Sequence, residues 1–333
     1  MTAAVKTDEA MHPTGEDGHW SESYYFNFVD PKSGVGMFTR MGFRPGNGWA
    51  DALHAVYLGG QRVAFTYGRR DIGKDLSAYD GDLKVGDLAL TCEAPFKRWT
   101  VAYDGPAQDI ADGAVLVTPA KERAEGWFTP ADLSMTVTVE ALTEPHYAAD
   151  GAHGHFEQSI HATGSLTLGG ETIAFDGYGV RDKSWGPRNW GGSSASDGAP
   201  SAGSTPSAPN PFVFWFSMNF GADVSLGGSC FRRADGTMKG QGWIQDGEGM
   251  DTFDDVVAVT TFRPDSILHE TVVLTGRTGR GREIRIEGRV QSMCPTKIPF
   301  PGGATFVNEG LARFTLDGRE GFGIAESWHN VMK

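Results

Sequence analysis

The chain has 333 residues, a formal charge of −13 at pH 7 and a pI near 5.1. That balance, without a basic run, excludes the clustered Lys and Arg that a nucleic-acid partner requires. No apolar run is long enough to span a bilayer as a helix, and three distant cysteines, Cys92, Cys230 and Cys294, make neither a disulfide framework nor a zinc knuckle.

With 46 Gly and 11% aromatic residues, the composition favours an all-β protein, whose turns need Gly and whose pleated faces favour aromatics. Residues 1–18 are polar and acidic, lack the apolar core of a signal peptide and read as a disordered leader of a cytoplasmic protein. His19 to Val29 opens the folded part as a strand, with Trp20, Glu22, Tyr24, Phe26 and Phe28 on one face. Asp30 to Gly34 is a turn and Met37 to Phe43 returns, making a hairpin. Strands follow at Ala52–Leu58, Arg62–Tyr67, Leu88–Glu93 and Lys97–Tyr103, with a weaker one at Ala114–Thr118. Short helical turns fit only Asp109–Asp112 or Pro130–Leu133. Leu133–Leu142 alternates as a half-exposed strand. His155–Leu168 is long and ends at Gly169-Gly170, a hairpin signal.

The stretch from Gly177 to Gly191 (GYGVRDKSWGPRNWG) follows. It is too Gly-rich for a helix interior and too charged for an ordinary core strand. Either Asp182 pairs with Arg188 or Arg181 as a structural staple, or it faces a pocket as an acid. Residues 191–210 hold few apolar groups and read as a flexible linker or flap. The aromatic run Phe212–Phe220 then opens a second set of strands that ends at Gly323–Val331. Asn27-Phe28 and Asn219-Phe220 begin the two halves alike, a faint sign of duplication. The expected organisation is a β domain over 19–190 and another over 211–333.

The motif GYGVRDKSWGPRNW, an opening WSESYYFNFVDP, HFEQ before the motif and an ending GIAESWHN together resemble the two-domain lipocalin-like proteins of the calycin group. These include the AttH-like proteins and the carotenoid 1,2-hydratase (hydroxyneurosporene synthase) family. The resemblance runs from Trp20 to Asn330. It implies two antiparallel β-barrel-like domains with the signature near their junction. It also implies cofactor-independent hydration, cyclisation or isomerisation of greasy molecules such as isoprenoids. Lys183, where relatives often carry His or another polar residue, and the insertion after Trp190 leave the substrate open.

Such chemistry needs a proton donor in a dry pocket and aromatic faces to stabilise cationic charge. The candidate acids and bases are Asp182, Glu157, His329 and Glu22; Arg181, Lys183 and Arg188 tend to lower the pKa of Asp182. The candidate substrate contacts are Trp185, Arg188, Trp190, Tyr24, Trp215, Trp328, Gln158 and Asn27, with Asp182, Trp185 and Arg188 forming a pocket floor. His153, His155, Glu157 and His161 share a strand face, but the span from His155 to His161 is too long for one ion, so no metal is expected. No nucleotide loop, nucleophile elbow or HExxH is present. The expected partner is a hydrophobic small molecule, with no cofactor; a homo-oligomer stays open. Two alternatives remain: a non-catalytic carrier of such a ligand, and a module that docks through Phe212–Phe220.

Overall fold

Alternating apolar residues separated by Gly and Asp turns build the chain almost wholly from antiparallel strands. The computed structural model describes residues 6–15, 18–148, 154–188, 209–300 and 303–332. They fall into two units, one within Met1–Ala111 and Phe128–Arg188, the other within Asp112–Trp127 and Asn189–Lys333.

The first unit holds β1 (Trp20–Asp30), β2 (Val35–Arg44), β3 (Trp49–Leu58), β4 (Val63–Asp71), β5 (Leu83–Val85), β6 (Leu88–Ala94), β7 (Arg98–Ile110), β8 (Thr129–Ala141), β9 (His146–Tyr147), β10 (Gly154–Leu168) and β11 (Glu171–Pro187). Among the described residues the order is β4-β3-β2-β1-β11-β10-β8-β7, and β4 pairs with β7 from Val63↔Ile110 to close the ring. β6 and β5 extend from the same edge of β7, and β9 pairs with β10. Tyr24, Phe26 and Phe28 on β1 point inward to a core with Met37, Val56, Trp99, Val137 and Ile160.

The second unit holds β12 (Val213–Asn219), β13 (Ser225–Arg232), β14 (Met238–Asp246), β15 (Gly249–Phe262), β16 (His269–Thr278), β17 (Glu283–Phe300), β18 (Gly303–Leu316) and β19 (Arg319–Met332). Each pairs with the next and β19 returns to β12, a closed up-and-down barrel. Phe214, Phe216, Met218, Ile286 and Phe314 fill its interior. The first unit's ring has the same sequential connectivity, so the two halves share a plan.

Four local expectations change. The leader expected to be disordered over 1–18 carries a 3-10 turn at Lys6–Glu9, and Glu9 and Met11 are buried. Ala114–Thr118 is not a strand: the Asp112 carboxylate accepts from Ala114 N at 3.0 Å and starts a 3-10 helix over Gly113–Val117. Its Ala114 packs on Leu268 and Met293, so this excursion belongs to the second unit rather than to a continuous 19–190 domain. Of the short turns expected, Pro130–Leu133 falls wholly into β8, and Asp109 and Ile110 of Asp109–Asp112 belong to β7. The described part of the Gly177–Gly191 stretch up to Pro187, judged too charged for a core strand, forms the second half of β11, because buried partners meet the charges of Arg181 and Lys183. Of the expected linker, only 209 and 210 are among the described residues, and Trp190 lies outside them.

The glycines of that stretch have a steric reason. β1 and β11 pair at Phe26↔Arg181 and Val29↔Tyr178, but the ladder is interrupted between them. There the Asn27 side chain takes over, its Oδ1 accepting from Val180 N at 3.1 Å. A Cβ added at Gly179 would lie 1.8 Å from the Asn27 carbonyl oxygen. Gly179→Ala therefore forces the two backbones apart and is expected to lower stability by about 1–3 kcal/mol, read by thermal unfolding. A melting point equal to that of the unaltered protein would refute this packing argument.

Candidate functional site

The β10–β11 hairpin turns at Gly169-Gly170, both at positive φ. Its register runs unbroken from Leu168↔Glu171 to Gly154↔Trp185 and sets Glu157 opposite Asp182. Alternation then splits the strand's charges: Arg181 and Lys183 face the barrel interior with Phe156 and Gln158, while Asp182 and Ser184 face outward with His155 and Glu157.

Inside, Lys183 and Glu22 form an ion pair with both side chains fully buried. The Lys183 ammonium also donates to Ala10 O at 3.2 Å and lies 4.5 Å from the Tyr24 ring centroid. His12 donates its backbone N–H to Glu22 at 3.0 Å, and its Nδ1 lies 2.9 Å from the same carboxylate. Burial pushes the Glu22 carboxyl up, but the Lys183 and His12 charges and hydrogen bonds outweigh it and hold the group below its ordinary value. Arg181 makes a bidentate pair with Glu9 and donates Nε–H to Gln158 Oε1 at 2.7 Å. Trp185 stacks on His12 with centroids 4.0 Å apart. The expected staple of Asp182 with Arg181 is not what forms: the two point to opposite faces, and Arg181 pairs with Glu9 and Lys183 with Glu22.

Outside, Asp182 accepts a hydrogen bond from His155 Nε2. Glu157 Oε1 lies 3.6 Å from the same nitrogen. Burial alone would depress the His155 pKa; the Asp182 charge and hydrogen bond, helped by Glu157, raise it instead, against a smaller opposing effect of Arg188. His146 pairs in register with Glu157, and burial, with the His155 charge behind it, pushes His146 down to about 4. Tyr25 sits opposite Asp182 on the other side, and Ser23 and Ser184 share a 2.8 Å hydrogen bond. The result is an imidazole held between two carboxylates that favour its protonated form.

His155, Glu157 and Asp182 each offer one atom within 4.8 Å of the others, a spacing suited to a divalent cation. As folded here, Nε2 of His155 is bound through its proton to Asp182, so an ion would have to displace that proton. The expectation of no metal rested on the histidines of one strand and omitted Asp182 from its neighbour; His153 lies outside the described residues.

In the second unit, His329 lies on the inward face of β19, 2% exposed. His269 Nε2 donates to Ala325 O at 3.0 Å, so its Nδ1 accepts from Ser327 Oγ at 2.9 Å. Ser327 Oγ in turn accepts from His329 Nε2 at 3.2 Å. Burial depresses His269 to about 4 and His329 to about 3, and in the first unit it depresses His54 to about 3. The unfolded chain thus binds more protons than the fold between those values and about 6.5. This contribution to stability is complete above pH 6.5 and is lost as pH falls, by about 1.4 kcal/mol per unit for each His until its folded pKa is reached. Urea unfolding from pH 7 to 4 should show this slope, and His329→Gln should flatten its share; an unchanged slope would contradict a neutral His329.

The expected site residues therefore separate. Asp182 and Glu157 come together, and His155, set aside in the sequence as part of a polar face, joins them. Glu22, Tyr24, Trp185 and Gln158 line the inside of the first barrel, on the other face of the sheet, so Asp182, Trp185 and Arg188 do not form one floor. Arg188 follows β11, its N–H donating to His19 O at 2.9 Å. Asn27 completes the β1–β11 ladder. Trp215 and Trp328 stand on the outward face of the second barrel, in register with Glu326 and Val213, and Trp328 donates its indole N–H to Glu326. Glu309, opposite Glu326 and 4% exposed, went unmarked in the sequence.

Two antiparallel barrels of this kind place the chain among the all-β, lipocalin-like proteins. The chain belongs to the family described as "Domain of unknown function (DUF7064)", whose model matches residues 6–331. No curated protein matches it. Among solved structures it is similar to a Nitrosomonas europaea protein assigned to AttH (NE1406), at 14% identity and a TM-score of 0.60, over 97% of this chain and 98% of that one. CghA is similar at 11% identity and a TM-score of 0.51, over 95% and 88%. Kievitone hydratase of Nectria haematococca aligns at 10% identity and a TM-score of 0.49, over 92% and 88%. At these identities the likeness concerns the fold, and the AttH-like architecture expected from the motif is the one found. Among the described residues no helix is long and apolar enough to cross a membrane.

Proposed function

We propose that the chain is an enzyme that moves protons on a hydrophobic small molecule, of isoprenoid, steroid-like or aromatic type, in a hydration, cyclisation or isomerisation. The supporting observation is His155, hydrogen-bonded to Asp182 with Glu157 3.6 Å from the same nitrogen. His155 gives its proton to an alkene or carbonyl of the substrate. Asp182 fixes the imidazolium and stabilises its charge. In a hydration, water adds to the resulting cation, and its surplus proton passes to the Glu157 carboxylate and back to His155. The reaction needs no metal or organic cofactor in this reading.

A carrier that takes its ligand inside the first barrel is less favoured. Aromatic residues and the Glu22–Lys183 and Glu9–Arg181 pairs occupy that interior.

The test is incubation of the purified protein with a lipid-soluble extract in D₂O, read by mass spectrometry, beside Asp182→Asn and after dialysis against a chelator. Deuterium entering one metabolite with the unaltered protein, surviving the chelator and absent with Asp182→Asn, is the expected result. Equal labelling by Asp182→Asn would remove this triad from the chemistry, and loss of labelling after chelation would replace the proton on His155 by a cation.

A further inference from the structure

The N-terminal segment from Asp8 to His12 meets the first barrel much as a bound peptide meets its receptor. The Glu9 carboxylate takes two guanidinium N–H groups from Arg181, at 2.5 and 3.0 Å, and the backbone N–H of Phe96 at 2.5 Å. Its carbonyl accepts from Tyr24 Oη at 3.1 Å. Asp8 accepts from Tyr147 Oη at 2.6 Å, and Met11 N donates to the Asp80 carboxylate at 2.7 Å. Met11 itself joins the core.

Without Glu9 the receptor half of this contact would stand unpaired. Arg181 is 2% exposed and lies within 6 Å of the ring centroids of Phe96, Trp99 and Phe156. Gln158, which accepts from Arg181, is fixed by donating to the carbonyls of Phe96 and Thr143 at 2.9 and 2.6 Å. A planar fork of donors, held by rings and an amide and joined by one backbone N–H, matches the two oxygens of a carboxylate. An uncompensated guanidinium in such surroundings is strongly unfavourable, so an anion must occupy the place whenever the barrel is folded.

We propose that Arg181, Gln158 and the Phe96 N–H form a carboxylate-binding site at the mouth of the first barrel. Glu9 is its tethered occupant, and a free organic monocarboxylate competes with the segment for it. The site lies on the opposite face of the sheet from His155 and Asp182 and is independent of the proposed chemistry. Tethering gives Glu9 a high effective concentration, so a weak free carboxylate displaces it little in the unaltered protein. The site is read most clearly once the Glu9 side chain is removed.

The experiment is chemical rescue of Glu9→Ala in the full chain. The truncation removes the Cγ methylene and the carboxylate of Glu9, a space suited to acetate. Glu9→Ala is expected to melt about 5 °C or more below the unaltered protein. Potassium acetate should restore at least half of that loss and saturate, while equal potassium chloride and the neutral isostere acetamide restore none of it. The unaltered protein, its site filled, should barely respond. Equal responses to acetate, chloride and acetamide, or no response, would overturn the proposal. Should Glu9→Ala fail to fold, Glu9→Gln provides the second reading: Glu9→Gln/Arg181→Met should melt above Glu9→Gln alone, because the unanswered cation is gone. A double variant no more stable than the single would count equally against the site.

Discussion

Lys183→Met is expected to destabilise the first unit by about 3–5 kcal/mol, because it strands a charge and does not merely remove a contact. Glu22 and Lys183 are both fully buried, and among the described residues Glu22 then keeps the hydrogen bonds of His12 but no ammonium or guanidinium partner. Removing both charges together avoids that penalty, so Glu22→Gln/Lys183→Met should recover most of the loss. In a thermal scan the single variant's first-unit transition should fall by about 10 °C. The pH dependence has a definite sign. The folded Glu22 pKa is depressed, so the pair's contribution is complete above the ordinary carboxylate value of 4.5 and is lost as pH falls through the folded value. Lys183→Met should remove most of that acid-side loss. A double variant as unstable as the single would mean that packing, not the stranded carboxylate, sets the effect. The same pair explains why Glu22, a candidate acid by its aromatic neighbours, serves as an internal counter-ion.

The sequence carried more of this site than a strand-by-strand reading extracts. Gly169-Gly170 marks a two-residue turn, and counting outward from it along an unbroken ladder puts Glu157 opposite Asp182 and His155 one diagonal step away. The hairpin signal was visible, but following its register for twelve residues requires knowing that no bulge intervenes, as one does in β17 between Val290 and Ser292. The alternation of β1 was equally legible: Trp20, Glu22, Tyr24, Phe26 and Phe28 share the inward face as their spacing implies.

The partners of Arg181 and Lys183 were not legible, for a different reason. Glu9 lies 172 residues from Arg181, and its surroundings read as a polar tail. Composition reports how much apolar area a segment offers, not whether two cations wait for its carboxylate. Asn27 was similarly opaque. Its amide stands in for a missing ladder bond, and nothing in the sequence shows that the β1–β11 ladder is interrupted there.

For the proposed chemistry, Asp182→Asn separates charge from shape. The amide keeps the side chain's volume and can still accept from His155, but it no longer stabilises the imidazolium. If His155 is the acid, turnover should drop by about 10²–10⁴-fold, with substrate binding altered far less. The pH profile gives the sharper reading. With Asp182 in place the His155 pKa is raised, so the protonated, active form persists above the ordinary histidine value and activity falls as pH rises through that elevated pKa. Asp182→Asn removes the main influence raising it and leaves burial and Arg188, which lower it. The alkaline fall of the residual activity should therefore move to lower pH. Glu157→Gln removes a weaker raising influence and should move it in the same direction by less. His155→Gln should abolish the limb altogether. Melting curves of the three variants must be recorded beside the profiles, since the pair is largely buried, with side chains 22% and 16% exposed, and its loss can also cost stability. A profile that keeps its alkaline limb in place after Asp182→Asn would assign that titration to another group and leave His155 a spectator.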